Sequence, residues 1–121
     1  MRHILAIVVI AVLFSTNIVY AQSIAVSDLV EEFENNAAAA TQRHSGRDLV
    51  VEGKVAAIGY TYDGKPYISV GSGVILGFST VWCMVSDVSD TAGFSVGDKV
   101  TLKGTFSEWD MIDVILNPCS T

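Results

Sequence analysis

The chain has 121 residues, enough for one domain with a compact core and too few for two. Half of its residues are hydrophobic, but an unbroken apolar run near the N-terminus inflates that share, so the positive mean hydropathy does not mark a membrane protein. Arg2 is the one basic residue before position 22, and all thirteen acids follow it. Residues 22–121 therefore carry six positive against thirteen negative charges, net −7, a field that repels long polyanions.

The first 21 residues read as an export signal. Arg2 and His3 form a short basic start, the apolar run of residues 4–14 follows, and Val19 and Ala21 place small residues where a signal peptidase cuts. The cut is expected after Ala21. An uncleaved anchor is the alternative, but Ser15, Thr16 and Asn17 end the run well short of the roughly 20 apolar residues of a spanning helix. Residue 22 is Gln, so no lipid-bearing cysteine stands at the cut. The expectation is a periplasmic or secreted protein with no stable membrane insertion.

A helix is predicted over 27–43. Val26, Leu29, Val30, Phe33, Ala37 and Ala40 recur at steps of three and four and form one apolar face. Ser27 or Asp28 is placed to cap its start, and Glu31, Glu32 and Glu34 form an exposed acidic run near it. Arg43 and His44 lie at its end, before Gly46.

The period then changes to two. A first strand is predicted over 48–59, with Leu49, Val51, Val55 and Ala57 inward and Gly53 marking a bend or bulge. Asp63-Gly64 is a hairpin turn leading into a strand over 66–71, which Gly71-Ser72-Gly73 ends. Residues 74–78 are a loop or short extension. A third strand covers 80–86, and residues 89–96 form a turn or short helix with Ser89 and Asp90 as caps. A fourth strand covers 98–107. Glu108, Trp109 and Asp110 turn the chain into a fifth over 111–117, with Ile112, Val114 and Leu116 inward and Pro118 as its stop. The fold class is mainly β with one N-terminal helix, a five-stranded OB-like Greek-key barrel.

Cys83 and Cys119 are the two cysteines. In an oxidising compartment their pairing is the economical reading, because no C-x-x-C is present and two isolated thiols make an incomplete zinc site.

The chain resembles a known family at this point. Asn36 and the run Ala37, Ala38, Ala39 and Ala40 precede the strand Gly46-Arg47-Asp48-Leu49-Val50-Val51-Glu52-Gly53. Cys83, the strand from Gly97-Asp98 to Gly104, and Cys119 follow. This pattern resembles the exported OB-fold proteins of the tRNA_anti-like family. It implies an OB domain of the nucleic-acid-binding type without an assigned activity. The bacterial BOF proteins are similar in layout and compartment. The missing lipid-attachment cysteine is a departure from the lipoprotein members.

Candidate binding residues follow from alternation. If Ile68 and Val70 face the core, Tyr67 faces out, and Trp82 does the same beside Cys83. Two readings stand: these rings stack on bases or sugars with Lys54 and Lys65 nearby, or they pack under the helix or at a barrel mouth. Tyr60, Tyr62 and Trp109 fall in predicted loops and are either further contacts or barrel lids. A nucleic-acid binder predicts Arg43, Arg47, Lys54, Lys65, Lys99 and Lys103 gathered in one stripe.

No catalytic set is expected. His44, the one histidine after residue 21, is read as a capping or solvated group. Asp87, Ser89 and Asp90 lack EF-hand spacing, so no metal is assigned, and no other cofactor is expected. Partners stay open among an envelope protein, a glycan and an oligonucleotide. The function expected is a non-enzymatic binding module of the bacterial cell envelope or exterior. Single-stranded nucleic-acid binding is the alternative, and an enzyme is a further one.

Overall fold

The computed structural model describes residues 22–72 and 79–121. The expected signal peptide and the segment 74–78 lie outside the described residues.

Strands β1 (Ser23–Ala25), β2 (Asp48–Tyr60), β3 (Pro66–Gly71), β4 (Val81–Met84), β5 (Lys99–Trp109) and β6 (Val114–Ser120) form one sheet in the order β1-β2-β3-β4-β6-β5. A further pairing of β2 with β5 closes five of them into the expected barrel. Strand β1 was not expected. It adds to the edge of β2 in parallel, Ser23 opposite Val50, and is too short to carry a period of its own.

One long strand serves two halves of the barrel. β2 pairs with β5 from Asp48 to Lys54 and with β3 from Lys54 to Tyr60, so the hand-over falls at Lys54. Gly53 sits just before it. A Cβ there would stand 2.4 Å from the Gly71 carbonyl oxygen, so close approach of β3 is what requires the glycine. The bulge itself comes later, between Val55 and Ala57. It turns Ala57 outward opposite Ser69 and Ile58 inward opposite Ile68, which corrects the inward place expected for Ala57.

The predicted single helix is two helices. α1 (Val26–Asn35) and α2 (Ala37–His44) meet at Asn36, whose backbone leaves helical geometry at φ −158° and ψ 85°. Its side-chain oxygen accepts a hydrogen bond from the Ala39 amide at 3.1 Å and so starts α2. Neither Ser27 nor Asp28 caps α1, because β1 runs directly into the helix and leaves Ala25 at the cap.

The second half of the chain also departs from the expected bounds. β4 is shorter than predicted, and β5 runs on through Glu108 and Trp109 instead of turning there. Ile112 is exposed in the β5–β6 turn and not inward. Asp110 organises that turn, its carboxylate accepting from the amides of Ile112 at 2.9 Å and Asp113 at 2.6 Å. β6 continues through Pro118, which lies where the β5–β6 register is interrupted between Gly104 and Phe106, a place where a missing amide costs no ladder bond.

The core holds Leu29 and Phe33 of α1 against Val51, Ile68, Val70, Val81, Leu102, Val114 and Leu116 of the barrel. Cys83 and Cys119 are joined in a disulfide across β4 and β6, as expected, with Cα atoms 5.3 Å apart. The 3₁₀ turn Val88–Thr91 is capped by Asp87, with Asp90 returning a bond to the Asp87 amide, so the cap lies before the residues predicted for it.

Candidate ligand-binding face

The outer surface of β3 and β4 is set by alternation. Ile68, Val70, Val81 and Cys83 point into the core, which leaves Tyr67, Ser69, Trp82 and Met84 on the opposite face. Tyr67 stands opposite Met84 and Trp82 opposite Ser69, so the two rings are diagonal neighbours. They stack face to face, with centroids 4.3 Å apart and planes within 7°. Gly59 faces Tyr67 from β2, and a Cβ built there would lie 3.6 Å from the phenol oxygen, so the ring rests over a stretch of β2 that has no side chain. Both rings are half-buried, and among the described residues the aromatic partner of each is the other, not a residue of the helices.

Ser69, between them, is buried, a role that alternation alone did not suggest. Its hydroxyl donates to Thr80 Oγ1 at 2.9 Å, and Asp113 Oδ1 accepts from both the Thr80 amide at 2.8 Å and the Thr80 hydroxyl at 3.1 Å. This chain of bonds ties β3 to the entry of β4 and to the β5–β6 turn. The sequence signal was faint: three polar residues, far apart in the chain, whose meeting depends on strand order.

The β2–β3 loop flanks the face at the Tyr67 end. Tyr60 ends β2 rather than lying in the loop and is 59% exposed, while Tyr62 in the loop is fully exposed. Gly64 takes φ +85°, as the Asp63-Gly64 turn requires. Thr61 donates its hydroxyl to Asp63 and accepts from the Lys65 amide at 3.0 Å. The Thr61 hydroxyl, and to lesser degrees the Asp63 backbone amide and Lys65, hold the Asp63 carboxyl below its ordinary pKa.

The other candidates are not brought to this pair. Trp109 stacks on Phe33 with centroids 5.4 Å apart, a lid on the core and not part of the β3–β4 face. Lys65 forms an ion pair with Asp63 at 3.8 Å. Lys54 stands opposite Gly71, four residues along β3 from Tyr67 and so about 13 Å away. The basic stripe that a nucleic-acid binder predicts is not assembled: Arg43 lies on α2 with Glu32, Lys103 on β5 with Asp48, and Lys65 in the β2–β3 loop. Glu32 is accordingly no free member of an exposed acidic run.

His44 is buried rather than solvated or capping. It sits beside Phe33 and Phe106 with Nε2 3.0 Å from Glu32 Oε1. Among the described residues no group of three or more His, Cys, Asp or Glu is placed to hold a metal ion. None of the described helices is long and apolar enough to cross a membrane.

The tRNA_anti-like family model matches residues 1–120. No curated protein matches the chain. A solved structure from Klebsiella pneumoniae, named a "putative nucleic acid-binding lipoprotein", is similar at TM-score 0.63 and 19% identity, covering 79% of this chain and 87% of that one. A "putative aspartyl-tRNA synthetase" from Leishmania major is similar at TM-score 0.53 and 11% identity, covering 88% of this chain and 22% of that one. At such identities these likenesses show a shared OB-like fold.

Proposed function

Because the chain belongs to the tRNA_anti-like family, we propose that it is a non-enzymatic binding module of the bacterial cell envelope or exterior, with the outer face of β3 and β4 as its ligand face. The stacked Tyr67–Trp82 pair carries this reading. Two aromatic rings held outside the core beside the β2–β3 loop offer apolar edges and π-faces to a ring-bearing ligand such as a glycan. The disulfide and the apolar N-terminal run support an exported protein cleaved after Ala21. Support for a non-enzymatic role comes from His44, which is buried against Glu32 and unavailable for proton transfer to a ligand.

A second reading, single-stranded nucleic-acid binding, is favoured by the family and by the name of the Klebsiella protein. Against it stand the −7 charge of residues 22–121 and the engagement of Arg43, Lys65 and Lys103 by acids.

The test follows Trp82 emission in the Trp109→Phe variant, titrated with soluble cell-wall glycan fragments and separately with a short single-stranded oligonucleotide at two salt concentrations. A glycan response lost in Tyr67→Ala supports the first reading. Salt-sensitive quenching by the oligonucleotide supports the second. Ligand binding that leaves Trp82 unperturbed removes the β3–β4 face from both.

A further inference from the structure

A second surface lies where β2 passes from β5 to β3. There Ala25, Ser27, Lys54, Lys99 and Thr101, with Glu52, line a cleft of about 480 Å³. Lys54 and Lys99 are direct cross-strand partners in the antiparallel β2–β5 ladder. Opposed residues in such a ladder have Cβ atoms about 5 Å apart, and like charges placed there destabilise the pair. On its other side Lys54 stands opposite Gly71, which adds no side chain and no counter-charge.

Arg43, Lys65 and Lys103 each have a carboxylate partner, whereas neither Lys54 nor Lys99 has one within ion-pair distance among the described residues. Glu52, in the cleft wall, accepts from the Ser23 hydroxyl at 3.1 Å, and Asp98, beside Lys99 in the chain, accepts from the Ser95 amide at 2.9 Å. The cleft wall thus holds two cations against one acid. Ser27 and Thr101 add hydroxyl donors, and the side-chain-uncapped start of α1 adds backbone amides.

We infer that this cleft is a binding site for a phosphate group, free or as a monoester, held between Lys54 and Lys99. A phosphate dianion bridging the two ammonium groups replaces their repulsion with two charge-assisted hydrogen bonds. The site is separate from the Tyr67–Trp82 face and does not depend on what that face binds.

The test is calorimetric titration of the protein with inorganic phosphate at low ionic strength, against sodium chloride at matched ionic strength. Saturable one-site binding is expected. Lys54→Gln and Lys99→Gln each weaken it about tenfold, and the double variant abolishes it. Both side chains are exposed, and thermal melting confirms that the variants fold. Lys103→Gln, on the same strand pair but outside the cleft, leaves the affinity unchanged. Binding of glycerol 3-phosphate as tight as that of phosphate identifies a monoester site, and binding of phosphate alone identifies a site for the free ion. No saturable binding, or equal binding by the double variant, overturns the proposal.

Discussion

Phe33 of α1 stacks on Trp109 at the end of β5, with ring centroids 5.4 Å apart and planes 24° apart. Phe33 also stacks on Phe106, at 5.2 Å and 21°, so one helical ring is held by two rings of one strand. Residues three apart on a regular strand face opposite ways. The bulge between Phe106 and Glu108 adds a residue to β5 and brings Trp109 to the same side as Phe106, opposite buried Val114.

This cluster anchors the helices to the barrel, and its loss is expected to be costly. Phe33→Ala, at a fully buried ring, should lower stability by about 3 to 5 kcal/mol, and Trp109→Ala, at a half-buried one, by about 2 to 3. Trp109→Phe preserves a stack and should cost less than about 1.5 kcal/mol. Denaturant unfolding of the three variants measures the order. Equal losses in all three mean that the stack is not the anchor.

The Cys83–Cys119 disulfide closes a sequence separation of 36 residues between two strands already paired in the sheet. Its main effect is on the unfolded chain, whose freedom it reduces by roughly 3 to 4 kcal/mol. Reduction, or replacement of both cysteines by alanine, should lower the unfolding free energy by about that amount, with β-sheet circular dichroism retained below the transition. A loss under 1 kcal/mol contradicts this assignment.

Gly104 lies where β5 passes closest to β6. A Cβ there would sit 2.8 Å from the Leu116 Cβ and 2.9 Å from the Cys119 sulfur, and at Gly53 one would sit 2.4 Å from a backbone oxygen. Gly104→Ala should cost about 1 to 3 kcal/mol and Gly53→Ala more, because the atom it meets belongs to backbone that cannot rotate away. Gly93→Ala, with nothing within 4 Å, is the neutral control in the same melting experiment.

The Asp63 carboxyl should titrate below the ordinary aspartate range, chiefly because the Thr61 hydroxyl donates to its ionised form. A lowered folded pKa means that the contribution is present above the unfolded value and is lost as pH falls through the folded one. Thr61→Val should move the titration of Asp63, followed by carboxyl carbon NMR shifts, upward toward the ordinary value. An unchanged titration assigns the shift to the Asp63 backbone amide and Lys65 instead.

Much of the barrel was legible because it obeys short-range rules. The β3 alternation around Ile68 and Val70 predicted which residues face out, and the Asp63-Gly64 turn predicted the β2–β3 hairpin. The break at Asn36 was not legible: an Ala run after an Asn reads as continuous helix until the side chain is seen to cap α2. The site was less legible. Tyr67 and Trp82 could be placed on one face but not against each other, because their pairing depends on the β3–β4 register. Trp109 read as a loop residue because a bulge shifts its direction by one residue, and periodicity cannot register an inserted residue.

The strand periods, the turn between β2 and β3, the pairing of the two cysteines and the net negative charge of residues 22–121 could be read from the residues alone. Each depends on local residue chemistry or on a count. Tertiary structure decided that Lys54 opposes Lys99, that His44 is buried against Glu32, and that Ser69, Thr80 and Asp113 share one chain of hydrogen bonds. Those relations join residues up to 45 positions apart; strand order, bulges and closure of the barrel bring the strand residues together, while Glu32 and His44 lie on the two helices either side of the Asn36 break.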